Sequence, residues 1–428
     1  MKKKTDFLDV AVQPDGRLPK LTDLNFRIPP AGGESIEGRL LRRMLREMGG
    51  PPLHFVLLWS GEEISFPDTP PVARVAIRDR LTLLKLIINP DLHFGSAYGV
   101  GDIEVEGDLV QCLEAIYRGL ARMPGNAYTR RLSRRLNKKR SNTPAQARDN
   151  IHHHYDIGNE FYKLWLDERM VYTCAYFSTP STTLEEAQTA KMDHVCRKLW
   201  LEPGETVVEA GCGWGSLALH MARHYGVKVR AFNISHQQVL YARERAKAEG
   251  LDAKVEYIED DYRNVSGQID AFVSVGMLEH VGKEHYQELG DVIHRCLKPS
   301  GRGLIHSIGR SKACPMNAWV EKRIFPGAYP PTLREMMDIF EPWEFAVLDV
   351  ENLRLHYAKT LEHWLARFER VSERVAEMYD QRFVREWRLY LAGSQAAFAV
   401  GDLQLFQVLF SGPANNAIPW TRAHLYQG

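Results

Sequence analysis

VVEAGCGWGS, residues 207–216, sets three glycines and a tryptophan directly behind a β-branched run and a lone glutamate. Glycine serves where a backbone turns left-handed or must let another group come close. TVVEAG reads as a buried strand, and SLALHMARHYG, starting at Ser216, as a helix that ends at Gly226. The decapeptide is therefore the joint between them. Downstream the alternation repeats: VKVRAFNIS is a strand, HQQVLYARERAKAEG a helix, AKVEYIEDD and IDAFVSVG strands, and HYQELGDVIHRCLKPSG a helix closed by Pro299 and Gly301. This order predicts an α/β fold with a doubly wound parallel sheet, whose ligands sit beyond the carboxyl ends of its strands. Gly211 to Gly215 stands at such an end.

Spacing separates the ligands that glycine turns serve. A dinucleotide fingerprint reads G-x-G-x-x-G/A, whereas Gly211, Gly213 and Gly215 alternate here and Ser216 takes the third place. A phosphate-binding Walker loop needs a Lys-Ser or Lys-Thr that does not follow. E-x-G-x-G-x-G fits a ligand that carries positive charge and no pyrophosphate, such as S-adenosylmethionine; a plain tight turn is the other reading.

Composition limits the remaining classes. A chain of 428 residues with 44% hydrophobic residues can bury more than one core, since domains run about 100–200 residues. A formal charge of +1 argues against a protein coated for nucleic-acid binding. Six scattered cysteines without a CxxC pair fit a reducing compartment better than a disulfide framework or a zinc site. The start MKKKTDFLDV has no apolar stretch behind its lysines, so no signal peptide is expected. No apolar run approaches the ~18 residues that span a bilayer. The expectation is a cytoplasmic enzyme.

Three regions follow from the pattern. Residues 1–121 alternate strand-like LHFVLLWS and ARVAIRD with helix-like LTLLKLIIN and DLVQCLEAIYRGL, which predicts a smaller N-terminal α+β domain for docking or oligomerisation. Residues 122–149 form a basic linker, with nine basic and no acidic residues between Arg122 and Arg148. It is either simply solvated or drawn to an anionic membrane, at about 1 kcal/mol per basic residue near the surface. Residues 150–428 form the catalytic domain. The run His152 to His154 is no metal site, because consecutive residues do not share one helix face; no metal is expected.

The motifs around the glycine turn carry a resemblance. HYDIGNEFYKLWL (154–166), MVYTCAYF (170–177), EEAQTAKMDHVCRKL (185–199), VEAGCGWGSLA, NISHQQ, DDYR, SVGMLEHVG (274–282) and LIHSIG (304–309) together resemble the cyclopropane-fatty-acyl-phospholipid synthase family. These are class I S-adenosylmethionine-dependent methyltransferases related to the mycolic-acid cyclopropane synthases. The likeness runs from about His154 to the C-terminus and implies a Rossmann-like sheet with helical lipid-binding additions.

By that resemblance the methyl donor contacts Tyr172, Thr173, Glu209, Gly211, Cys212, Gly213, Gly215, Asn233, Ser235, Gln238, Asp260 and Asp261. Asp261 suits the adenine amino group. Asn233 stands where methyltransferases usually carry an acid for the ribose. The family's base is a bound bicarbonate, and the matching positions are Cys174, Glu279, His306, Ile308 and Tyr357. Backbone N–H groups near Cys174 and Ile308, the Tyr357 hydroxyl and a His306 N–H are donors for such an anion, and Glu279 accepts its proton. Tyr176, Phe177 and Trp319 are candidates to face a cation. Ser394 stands where some relatives carry a cysteine.

The implied reaction is methylene transfer to the cis double bond of an unsaturated phospholipid acyl chain, giving a cyclopropane. The alternatives are a methyl- or methylene-branched product, methylation of a modified fatty acid, and a non-catalytic lipid-binding module. The implied partners are phospholipid acyl chains at the inner face of a membrane, with a homodimer possible and no nucleic acid. The segments NAWVEKRIFPGAYPP, RLHYAKTLEHWLARFERV and QRFVREWRLYLAGSQAAFA are expected to cover the cleft and line an acyl tunnel.

Overall fold

The computed structural model describes residues 35–66, 70–123 and 157–426. The stretch 124–149 of the expected basic linker and the run His152 to His154 lie outside the described residues.

The chain divides into two compact units, residues 1–136 with 368–400 and residues 137–367 with 401–428. The first holds a four-stranded sheet of β1 (Leu53–Leu57), β2 (Glu62–Ile64), β3 (Ala73–Ile77) and β4 (Ile103–Gly107), in the order β2-β1-β3-β4. β1 and β3 are parallel and the outer pairings antiparallel. Helices Ile36–Glu47, Arg80–Ile88, Pro90–Gly99 and Leu109–Arg122 accompany the sheet.

The first unit also takes in the long helix Gln381–Val400, which packs on helices Leu109–Arg122 and Pro90–Gly99. Its Arg385 donates to the carbonyls of Tyr98 (2.7 Å) and Ile103 (3.1 Å), with its guanidinium 4.4 Å from the Tyr98 ring centre. The catalytic domain expected as an unbroken 150–428 is thus interrupted at 368–400. QRFVREWRLYLAGSQAAFA, with Ser394, lies in this helix and packs in the first unit. Its apolar content alone could not tell this packing from tunnel lining.

The second unit is built on β5 (Thr206–Ala210), β6 (Lys228–Asn233), β7 (Val255–Glu259), β8 (Ile269–Val275), β9 (Leu297–Gly309), β10 (Ala346–Asn352) and β11 (Gln404–Ser411). Their order is β10-β11-β9-β8-β5-β6-β7, parallel from β9 to β7, with β11 antiparallel to both of its neighbours. The doubly wound expectation holds, because strands covered by helices on both faces read as continuous apolar runs. Helix Tyr286–Cys296 ends earlier than its sequence pattern indicated, and the chain enters β9 at Leu297 before reaching Pro299. The strand order turns back between β5 and β8, so the crevice above their carboxyl ends is the topological switch point. Among the described residues no helix is long and apolar enough to cross a membrane.

Candidate active site

The glycine loop leaves β5 and caps helix Ser216–His224. Gly211, Gly213 and Gly215 all have positive φ, at 82°, 53° and 83°. A Cβ on Gly215 would stand 2.4 Å from the hydroxyl of Tyr257, which donates to the Gly215 carbonyl at 2.7 Å. One on Gly211 would meet Met277 at 2.9 Å, whereas one on Gly213 would meet nothing within 4 Å. Two glycines therefore fit the loop to its own protein, and Gly213 leaves open space. Glu209 is buried and accepts from the Ala218 N–H in the first turn of the helix, while its Oε2 has no partner among the described residues. Burial pushes its carboxyl up to about 8, partly offset by Lys191.

Asn233, at the end of β6, braces this loop. Its amide donates to the Gly213 carbonyl (3.2 Å) and to Gln238 Oε1 (2.8 Å), and its oxygen accepts from the Ser235 N–H (3.1 Å). The buried Ser235 Oγ is left without a partner among the described residues. Beyond β7, Asp260 accepts from the Asp261 N–H and from Asn264. Asp261 is engaged by Arg263 at 3.0 Å, and Arg263 also pairs with Glu288. Asn233 and Asp261 thus have structural work that their sequence positions did not disclose. The fit to S-adenosylmethionine rests on the open side of Gly213 and on the buried, unsatisfied oxygens of Glu209 and Ser235.

The segment 172–177 crosses near this loop and is held from two sides. Helix Leu184–Lys198 supplies Gln188, which donates to the Thr173 carbonyl (2.8 Å), and Lys191, which donates to Thr173 Oγ1 (2.9 Å). Helix Arg354–Arg370 supplies Thr360 Oγ1 to the Ala175 N–H (3.0 Å) and His356 Nδ1 to the Phe177 N–H (3.0 Å). Tyr357 rides on the same helix, and Tyr172 enters an aromatic cluster with Tyr162, Trp165 and Trp364 at centroid distances of 5.2–5.5 Å. Tyr176 is stacked with His194 (4.4 Å) and His356 (4.7 Å), and Phe177 with His363, so these rings face imidazoles. Trp319 is buried. Burial pushes the Cys174 thiol well up, so this sulfur is held as a thiol and not as a nucleophile.

The remaining positions come together on β9. His306 and Ile308 alternate along the strand and share one face. Gln407, opposite His306 on β11, brings its side-chain amide to 3.1 Å from His306 Nδ1. Burial, with Lys191 and Lys198 nearby, drives the His306 pKa down to about 3, so the ring is neutral. Glu279 sits in the short helical turn Leu278–His280 after β8. The Ile308 N–H donates to its Oε1 at 2.5 Å. Glu279 is buried, and burial raises its carboxyl to about 7, partly offset by hydrogen bonds from the Ile308 N–H and the Ser307 hydroxyl. Cys174 joins this group through Leu353: its Sγ lies 4.0 Å from the Leu353 carbonyl, whose N–H bonds Leu405, the residue paired with Ile308.

Lys191, Gln407 and Tyr257 were not singled out in the sequence. Lys191 had a signal: with Gln188 it interrupts the stripe Ala187, Met192 and Val195 at helical spacing. Its full burial lowers its pKa to about 8, and its charge is felt by Cys174, Glu209 and His306. Gln407 had none, because only strand register sets it across from His306.

A family model for mycolic acid cyclopropane synthetase matches residues 142–408, and a domain of unknown function matches residues 40–123. A probable fatty acid methyltransferase of Pseudomonas putida is 35% identical over 389 residues, covering 86% of this chain and 95% of its own. The cyclopropane-fatty-acyl-phospholipid synthase of Escherichia coli K12 is 41% identical over 266 residues, 62% of this chain and 68% of that one. Among solved structures, the cyclopropane synthase MmaA2 of Mycobacterium tuberculosis gives a TM-score of 0.59 at 27% identity. The mycolic acid cyclopropane synthase CmaA1, complexed with SAH and CTAB, gives 0.59 at 28%; each covers 61% of this chain and 97% of its own. With that family model spanning more than half its length, the chain belongs to the mycolic acid cyclopropane synthetase family, S-adenosylmethionine-dependent enzymes of cyclopropane or methyl transfer to fatty acyl chains.

Proposed function

We propose that this enzyme adds a methylene to the cis double bond of unsaturated acyl chains in membrane phospholipids, forming a cyclopropane, with bicarbonate as the base. The observation that carries the reading is the buried carboxyl of Glu279, held by the Ile308 N–H of the strand that also carries the neutral His306. S-adenosylmethionine would supply an electrophilic methyl on its sulfonium, and bicarbonate a small base beside it. Glu209, the Gly213 opening and Thr173 would hold the donor, with Lys191 fixing Thr173 Oγ1. The alkene would take that methyl as S-adenosylhomocysteine leaves, putting a cation on the neighbouring acyl carbon; transfer of a proton from the new methyl to bicarbonate would close the ring.

The chain's own groups suit that step. Glu279 would accept the proton of a small anion, and a His306 N–H would donate to one. Apolar walls from Tyr172, Trp165 and Trp364 exclude water, which would otherwise trap the cation.

A second reading, methyl transfer that leaves a branched chain, is favoured by the Pseudomonas putida relative, which covers most of both chains. Lipids from a host expressing the protein distinguish the two. A gain of one CH2 per chain without loss of an unsaturation equivalent means a ring or a methylene branch, and the ring protons are then sought by NMR. No change in lipid mass would overturn both readings.

A further inference from the structure

In the first unit, helix Arg80–Ile88 is apolar on two sides. Thr82, Leu83 and Leu86 point into the core. Leu81, Leu84 and Ile88 point outward with 60%, 43% and 62% of their surface exposed, and their spacing of three and four residues puts them, with Lys85, on one face. Helix Ile36–Glu47 is its neighbour, joined by the Arg80–Glu37 ion pair at 3.4 Å, and exposes Ile36 (66%) and Leu40 (44%). Amphipathic helices of a globular unit turn their apolar stripe inward and leave charge outside. Contiguous exposed apolar surface of this kind marks an interaction site.

Charge around these residues indicates the partner. Arg39, Arg42, Arg43 and Arg46 lie on the first helix and Arg80 and Lys85 on the second; the acids of the two helices are Glu37 and Glu47, engaged by Arg80 and Arg43. Beside the apolar row a cavity of about 210 Å³ opens, lined by Thr82, Lys85, His93, Ser96, Asp102 and Arg382. Its one acid, Asp102, is paired with Arg78 at 2.7 Å. A row of leucine and isoleucine edged by arginine and lysine is the pattern of helices lying in a membrane interface, and each basic group near an anionic leaflet adds attraction.

We propose that helices Ile36–Glu47 and Arg80–Ile88 form a docking face for a bilayer containing anionic phospholipid. Leu81, Leu84 and Ile88 enter the acyl boundary, and Arg39, Arg43 and Lys85 meet headgroup phosphates, one of which the neighbouring cavity seats. The proposal rests on the reading above that the substrate chains belong to membrane phospholipids, and it puts the membrane grip on the first unit.

Sedimentation of the full chain with phosphatidylglycerol-rich vesicles and with pure phosphatidylcholine vesicles tests it. Two variants are compared with wild type, Leu81→Ser/Leu84→Ser/Ile88→Ser and Arg39→Gln/Arg43→Gln/Lys85→Gln; the second carries the test should the first fail to fold. Wild type is expected to prefer the anionic vesicles, and each variant to bind them about tenfold more weakly or worse. Melting temperature, oligomeric mass and turnover of detergent-dispersed phospholipid are expected to stay as in wild type. Unchanged vesicle affinity in a folded variant overturns the proposal. So does a fall in oligomeric mass with vesicle affinity retained, which would make the face a contact between copies. Wild type without turnover on dispersed phospholipid would sink the proposed reaction instead, leaving the vesicle result to decide the docking face.

Discussion

Glu279 concentrates the chemistry at the residue scale. Its raised pKa means that near pH 7 the acceptor form is only partly present, so turnover is expected to climb as pH rises through about 7. Glu279→Gln should keep donor binding near wild type by calorimetry, lower turnover, and flatten that limb of the pH profile. Abolished donor binding would instead make Glu279 part of the donor site. Gly215→Ala tests the loop. The alanine would face both a φ of 83° and the Tyr257 hydroxyl, and a loss of about 3 kcal/mol is expected in urea unfolding. Ala at Gly213, where space is open, should cost less.

At the scale of elements, buried charge joins strands to their neighbours. Arg302 on β9 is bidentate to Glu205 at 2.6 Å on both nitrogens, and also donates to the carbonyls of Leu199 and Trp200. Arg302→Met leaves Glu205 without its partner, and a loss of about 3–5 kcal/mol is expected in denaturant titration. Pairing it with Glu205→Gln should recover part of that. On β10, Glu351 is shared by His194 and Lys198, both at 2.7 Å. Burial alone would raise its pKa, but these partners outweigh it and hold the carboxyl near 2. A carboxyl depressed on folding adds stability above its ordinary pKa and loses it as pH falls toward the folded value. Glu351→Gln should therefore be most harmful near neutrality, its gap from wild type shrinking below about pH 4 in melts across pH.

For the whole molecule, the first unit needs a segment that follows most of the second in sequence. Trp387, Leu391 and Phe398 on helix Gln381–Val400 are buried, and that helix packs on helices Leu109–Arg122 and Pro90–Gly99. A fragment beginning at residue 142, the start of the family match, is expected to expose this apolar surface and to aggregate or melt lower than the full chain in light scattering and calorimetry. A monodisperse fragment with unchanged melting would show that the helix finds its core elsewhere.

Local pattern by itself determined the alternating strands and helices and the glycine turn at a strand end. Apolar periodicity and positive φ act over a few residues, so a linear chain displays them. Which residues meet across the fold was decided by tertiary structure alone. Gln407 reaches His306 through the register of β11 on β9, and the Ile308 N–H is claimed by Glu279 because the turn after β8 lies against β9. Helices Ser372–Met378 and Gln381–Val400 join a unit whose remaining described elements end at Arg122. Such pairings join positions far apart in the chain, and burial, which sets the charge of Glu279, Glu209, Lys191 and His306, exists only once they have formed.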